Sequence, residues 1–138
     1  MPDTGIPDQR LFTRAGTKPA FFGRCPLKID SYRFGEIVIN GKRYSHDVMV
    51  FPACVTRWWR KTGHEVAVAD LNEIIAAGPE ILIIGTGAYG AVRILPETES
   101  FVASKGIKLI AVPSQQACER YNELRSKHQV AAAFHLTC

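Results

Sequence analysis

The sequence predicts an α/β fold, namely a three-layer domain around a mixed, mostly parallel five-stranded sheet with an N-terminal β-hairpin. Three observations predict this class. Asn40-Gly41 separates two runs of strand-forming residues, which is a strong short-range signal for a hairpin. Residues 81–84 and 107–112 are almost wholly apolar, as strands covered on both faces are. Helical patterns alternate with these strands, which favours parallel pairing through helical crossovers.

Length and composition indicate an ordinary globular domain. The chain has 138 residues, of which 46% are hydrophobic and 22% are charged, and these shares exclude a wholly disordered chain. No apolar run approaches the roughly 20 residues that a membrane-spanning helix needs. The N-terminus lacks the basic and apolar segments of a secretory signal. We therefore expect a cytoplasmic protein without a membrane span.

The N-terminal region is predicted to divide into an arm and the start of the domain. Residues 1–26 are expected to form a flexible arm, because prolines and glycines interrupt any helical or strand period. Residues 27–138 are predicted to form the single α/β domain, which begins with the hairpin. Its second strand is expected to continue through Phe51 to Pro52, which cannot donate a ladder hydrogen bond. A short strand over residues 55–60 follows.

Three helices and a last strand are predicted from capping and stop signals. Asp70 and Glu73 form a capping box for a short helix that ends at Gly78. Pro96 is suited to the first turn of a second helix, which Gly106 ends. Ser114 caps the third helix, and residues 130–135 are apolar enough to be a strand inside the sheet.

The glycine-rich loop after the strand at residues 81–84 is the first candidate site. Gly85, Gly87 and Gly90 have the spacing of a dinucleotide-binding loop. However, the loop does not itself open a helix, and no acid follows the next strand to bind a ribose. A tight turn is the simplest interpretation. The alternative is a small-anion site, because the helix beginning at Ser114 would start beside this loop if the two strands are parallel neighbours.

The residues predicted to bind that anion lie on the loop and on the first turn of the third helix. They are Gly85, Thr86, Gly87, Ala88, Tyr89, Gly90, Ser114 and Gln115. Backbone N–H groups would contact a phosphate, sulfate or carboxylate, and the Tyr89 ring could act as a lid. No catalytic residue, metal ligand or cofactor is predicted.

The cysteines and one buried acid are given structural interpretations. The four cysteines form no CxxC pair, and reducing cytosol would keep them as free thiols. His135 and Cys138 are spaced like metal ligands, but positions three apart on a strand point to opposite faces, so no zinc site is predicted. Asp47 lies in an apolar strand and is expected to pair with a buried donor.

Trp58 and Trp59 lie between basic residues, as in a stacking platform for single-stranded nucleic acid. The formal net charge of +4 is compatible with that function but does not require it. Because no RNA-binding motif accompanies the pair, we expect one indole in the core, the other exposed, and no specific nucleic-acid binding.

A chain-long series of residues resembles a known family. It comprises Tyr32, Phe34, Gly35, the strand from Tyr44 to Val50, Trp59, Gly85-Thr86-Gly87, Pro96, Gly106-Ile107, Ala117, Tyr121-Asn122-Glu123-Leu124 and His135-Leu136-Thr137-Cys138. Over residues 29–138 the chain resembles domain of unknown function family 498, whose members include mitochondrial NADH dehydrogenase (complex I) assembly factor 3 and an adipogenesis-associated single-domain protein. It departs at Pro113-Ser114, where many relatives are expected to have Asp-Thr.

The resemblance implies three layers around a mixed five-stranded sheet and brings no catalytic residues with it. We therefore expect a non-enzymatic binding or assembly-factor-like module with a protein partner, because no complete nucleophile, metal or acid–base group is recognisable. The alternative function is a small-molecule (anion) binding protein or an enzyme that uses the Gly85 to Gly90 loop.

Overall fold

In the computed structural model, which describes residues 27–51 and 54–138, the first three strands form a small antiparallel sheet. These strands are β1 (Ile29–Arg33), β2 (Glu36–Ile39) and β3 (Lys42–Tyr44). Asn40 and Gly41 between β2 and β3 have φ values of 50° and 80°, as a type I′ hairpin turn requires. The predicted hairpin is thus present. The arm predicted for residues 1–26 lies outside the described residues.

The main sheet has five strands and is evenly mixed. The remaining strands are β4 (Val48–Val50), β5 (Val55–Arg57), β6 (Glu65–Val66), β7 (Ile81–Thr86), β8 (Arg93–Ile94), β9 (Lys108–Val112) and β10 (Val130–His135). The order in the main sheet is β5-β4-β10-β7-β9, while β6 and β8 pair separately. β10 and β9 run parallel to β7, whereas β4 runs antiparallel to β10 and β5.

The expectation of a mostly parallel sheet is therefore wrong. Only four residues separate β4 from β5, and a connection of that length can join only antiparallel neighbours. The strand expected to continue from the hairpin to Phe51 also breaks, since β3 ends at Tyr44 and β4 begins at Val48 in the other sheet. Asp47 consequently lies at the junction of the two sheets, next to the carboxyl end of β10.

Three helices connect the later strands. They are α1 (Asn72–Ala77), α2 (Pro96–Ser104) and α3 (Ser114–Leu124). Gly78 ends α1 in the left-handed conformation, as predicted. The predicted capping box is wrong, because Asp70 lies in a 3₁₀ turn before α1, where its carboxylate accepts hydrogen bonds from the amides of Lys61 and Ala67.

Apolar clusters cover both faces of the main sheet and produce three layers. Ala132 and Phe134 of β10 belong to the cluster with the small sheet and α3, whereas Ala131 and Ala133 belong to the cluster with α1 and α2. This alternation follows from the two-residue period of a strand. Among the described residues, no helix is long and apolar enough to cross a membrane.

Candidate functional site

The carboxyl ends of β7 and β10 lie side by side at one edge of the main sheet. The register pairs Phe134 with Gly85 and His135 with Thr86. β7 continues into residues 85–90, which we call the glycine loop, and β10 continues into residues 136–138. Ligands of open α/β sheets bind at such edges. The glycine loop and the segment that ends in Thr137 and Cys138 therefore meet at an edge where a ligand site is expected.

The backbone of the glycine loop is used largely inside the protein. The Gly87 amide donates to the Ser114 hydroxyl at 3.0 Å, and the Ala88 amide donates to the Thr137 carbonyl at 3.2 Å. The buried Ser114 hydroxyl donates in turn to the His135 carbonyl at 2.5 Å. In the residues predicted to bind an anion, the amides of Gly87, Ala88, Gly90 and Ser114 thus already have partners.

Steric contacts explain two of the three motif glycines. A Cβ at Gly85 would lie 2.8 Å from both the Phe134 ring and the Ser114 hydroxyl. At Gly87, where φ is +103°, a Cβ would lie 2.5 Å from the Thr137 carbonyl oxygen and 2.9 Å from that of Cys138. Glycine is therefore needed at both positions for close packing.

The predicted anion residues do lie together, since β7 and β9 are parallel neighbours and α3 begins beside the glycine loop. Tyr89 is 81% exposed, and the Gln115 side chain contacts Glu119 at 3.3 Å. Anion binding by this set stays a prediction, and the amides of Gly87 and Ala88 would have to give up internal partners to take part.

A polar network that includes a buried arginine lies beside the end of β10. Asp47 Oδ2 is 2.7 Å from Arg60 Nη1 and 2.7 Å from His135 Nδ1, and Asp47 Oδ1 accepts the Leu136 amide at 3.0 Å. The Arg60 side chain is only 5% exposed and lies over the Trp58 ring. Asp47 therefore has the buried donor expected for it.

Asp47 and His135 shift each other's pKa values. Burial alone would raise the pKa of Asp47, but hydrogen bonds from His135, Arg60 and the Leu136 amide outweigh it and lower that pKa below its usual value. The hydrogen bond to Asp47 raises the pKa of His135, although burial opposes it. The contact between the two groups thus favours the carboxylate form of Asp47 and a proton on His135 Nδ1.

Cys138 extends this network to the surface. Its Sγ lies 3.3 Å from His64 Nε2, and the rings of His64 and His135 are nearly perpendicular with centroids 6.2 Å apart. Hydrogen bonds with His64, His135 and Thr137 lower the pKa of the Cys138 thiol to about 7. We call His64, His135 and Cys138 the His–Cys cluster.

His135 and Cys138 are neighbours, so the prediction that they point to opposite faces is wrong. β10 ends at His135, so the alternation of a strand does not extend to Cys138, which has a φ of 51°. His64 could not be found from spacing, because 74 positions separate it from Cys138. The one local signal was a histidine that ends an otherwise apolar strand.

Two exposed aromatic side chains lie near the same edge. Phe34 is 59% exposed, Tyr89 is 81% exposed, and their ring centroids are 6.2 Å apart. We call them the aromatic pair. Trp59, which is 72% exposed, has the Arg57 guanidinium 5.0 Å from its ring centroid, while Trp58 is buried. One indole in the core and one exposed is the arrangement predicted for the tryptophans.

Comparisons with known proteins agree on a family and a fold. The sequence profile of the family described as "Protein of unknown function (DUF498/DUF598)" matches residues 29–135. NADH dehydrogenase (ubiquinone) 1 alpha subcomplex assembly factor 3 of Xenopus tropicalis is 26% identical over 107 residues, which span 76% of this chain but only 58% of that protein.

A bacterial relative and a solved structure match over more of their own length. The "13 kDa major membrane protein" of Francisella tularensis is 26% identical over 110 residues, or 77% of this chain and 87% of that protein. A conserved hypothetical protein from Pyrococcus horikoshii has a similar crystal structure, with a TM-score of 0.75 and 29% identity over 80% of this chain and 99% of its own.

Proposed function

The chain belongs to the family of proteins of unknown function DUF498/DUF598, and we propose that it is a non-enzymatic, assembly-factor-like module that binds another protein. The observation that carries this proposal is the aromatic pair. Phe34 and Tyr89 lie in contact on the surface, at 59% and 81% exposure. Aromatic side chains supply a large part of the binding energy in protein interfaces.

Both aromatic residues lie on turns that the rest of the protein holds in place. The amide of Gly35, next to Phe34, donates to the Leu136 carbonyl at 2.8 Å. On the turn that carries Tyr89, the Ala88 amide donates to the Thr137 carbonyl, and the Gly90 amide donates to the Gly87 carbonyl. A partner would therefore meet two preorganised rings, and little backbone entropy would be lost on binding.

The similarity to a protein named as an assembly factor supports the same class of function. That Xenopus protein is matched over only 58% of its length, so its own partners are not transferred to this chain. Binding to a partner protein is the part of an assembly role that a domain of this size with an exposed aromatic pair can provide. The expected partner offers an apolar pocket for the two rings.

Site-specific photo-crosslinking tests the proposal in the cells that produce the protein. Tyr89 is replaced by a photoreactive phenylalanine derivative, and the same replacement at Trp59 serves as a matched exposed control. We expect one protein to be captured from position 89 and not from position 59. A second copy of this chain captured at position 89, or equal capture at both positions, would contradict the proposal.

The captured protein is then purified and its affinity is measured by titration calorimetry. Phe34→Ala combined with Tyr89→Ala should weaken binding by roughly thirtyfold or more, which corresponds to the loss of one interface hot spot. Trp59→Ala should change the affinity by less than about twofold. Unchanged affinity in the double variant would show that the aromatic pair is not the binding surface.

A further inference from the structure

Three metal-ligating atoms converge at the edge of the sheet. The ligand atoms of His64, His135 and Cys138 all lie within 4.8 Å of one another, and the His64 Nε2 to Cys138 Sγ distance is 3.3 Å. In a tetrahedral zinc site, nitrogen and sulfur ligands lie roughly 3.3–3.6 Å apart. One pair already has this separation, and the other two pairs lie within 4.8 Å, so a small movement of the exposed His64 ring can bring the three atoms around one ion.

His135 is oriented as a metal ligand by its neighbours. Its Nδ1 contacts Asp47 Oδ2 at 2.7 Å, and a carboxylate only accepts, so the proton lies on Nδ1. Arg60 Nη2 also lies 3.0 Å from Nδ1, but it donates to the Gly63 carbonyl at 2.8 Å, while Arg60 Nη1 donates to Asp47. The lone pair is therefore on Nε2, which is 3.3 Å from the Thr137 hydroxyl on the cluster side.

A carboxylate that accepts from the remote nitrogen of a ligating histidine is a common feature of zinc sites, because it fixes both tautomer and ring orientation. Here that carboxylate is itself fixed by Arg60 and by the Leu136 amide. Backbone hydrogen bonds also hold His64 itself and the residue that precedes Cys138. The His64 carbonyl accepts the Arg93 amide at 2.8 Å, and the Thr137 carbonyl accepts the Ala88 amide.

We propose that His64, His135 and Cys138 bind a zinc ion, with a fourth position open to water or to a side chain of a partner. Two imidazoles and a thiolate form a donor set that suits Zn²⁺. His135 is buried, Cys138 is half-buried and His64 is exposed, so the ion would enter from the surface. The charges of Arg60 and Asp47 offset each other behind the site.

Cobalt substitution tests the site in the full-length, untagged chain. Co²⁺ is titrated into metal-free protein, and the absorption spectrum is followed for a thiolate-to-cobalt band and the visible bands of tetrahedral cobalt. We expect one Co²⁺ per chain, displaced by one equivalent of Zn²⁺. Saturation without a thiolate band, no saturable binding, or failure of Zn²⁺ to displace Co²⁺ would overturn the proposal.

Matched variants separate this cluster from other ligands in the chain. Cys138→Ser and His64→Ala should each weaken Co²⁺ binding by about a hundredfold or more, and Asp47→Asn by ~10–100-fold. Cys54→Ser and His128→Ala change exposed residues outside the cluster and should bind like the unchanged protein. Circular dichroism verifies that each variant is folded. Retention of the thiolate band in Cys138→Ser, or its loss in Cys54→Ser, would refute the assignment.

Discussion

The glycine loop and the His–Cys cluster lie at the same edge of the sheet, but they differ in how they use their polar groups. The loop has a recognisable spacing, yet the Gly87 and Ala88 amides donate within the protein. The cluster matches no motif, yet its three ligand atoms converge toward the surface. A short glycine motif thus specifies backbone conformation, whereas side chains brought together by topology can form a site without one.

The two regions are also mechanically linked. The absence of a side chain at Gly87 leaves room for the carbonyls of Thr137 and Cys138, which a Cβ would approach to 2.5 and 2.9 Å. The loop therefore acts as a support for the segment that carries the Cys138 thiol. Three substitutions or measurements test this division between a supporting loop and a polar cluster.

The largest effect is expected from breaking the network behind the cluster. Asp47→Ala should lower the free energy of unfolding by about 3 kcal/mol, because Arg60 and His135 would keep buried polar groups without their acceptor. Glu65→Ala is the control, since Glu65 pairs with Arg93 at the surface and should cost less than about 1 kcal/mol. Denaturant unfolding measures both, and equal losses would contradict the role given to Asp47.

An intermediate effect is expected from the loop. Gly87→Ala should cost about 2 kcal/mol, because it combines a positive φ with the collision against residues 137 and 138. Gly106→Ala measures the cost of the positive φ alone, since φ there is +75° and an added Cβ would have nothing within 4 Å. We expect this variant to lose about 1 kcal/mol of unfolding free energy. If chemical denaturation gives the same loss for both variants, the loop does not support the segment.

The smallest perturbation is alkylation of the thiols in metal-free protein, followed by peptide mass spectrometry. Among the cysteines of the described residues, Cys138 should react fastest, with a rate that rises through pH 7, because its pKa is lowered to about 7. Cys118 should stay unmodified in folded protein, since burial, together with Glu119, raises its pKa to about 12. His64→Ala should slow Cys138 several-fold. Equal rates at Cys118 and Cys138 would disprove this contrast.

The elements that depend on near neighbours were predictable from the sequence. The Asn40-Gly41 turn, the left-handed end of α1 at Gly78 and the buried strands β7 and β10 follow from local conformational preference and apolar runs. The unusual position of Asp47 also indicated a buried partner correctly. The turn, the helix end and the two strands can be predicted because residues a few positions apart determine them, whereas for Asp47 the sequence predicts only that an acid in an apolar strand needs a donor.

Only the tertiary structure decided the direction of β4 in the sheet and the composition of the His–Cys cluster. Asp47 is 88 positions from His135, and His64 is 74 positions from Cys138. No local pattern relates residues so far apart. Strand alternation also does not separate His135 from Cys138, because β10 ends at His135. Their proximity results from the order in which distant strands pair, which is a property of the whole sheet.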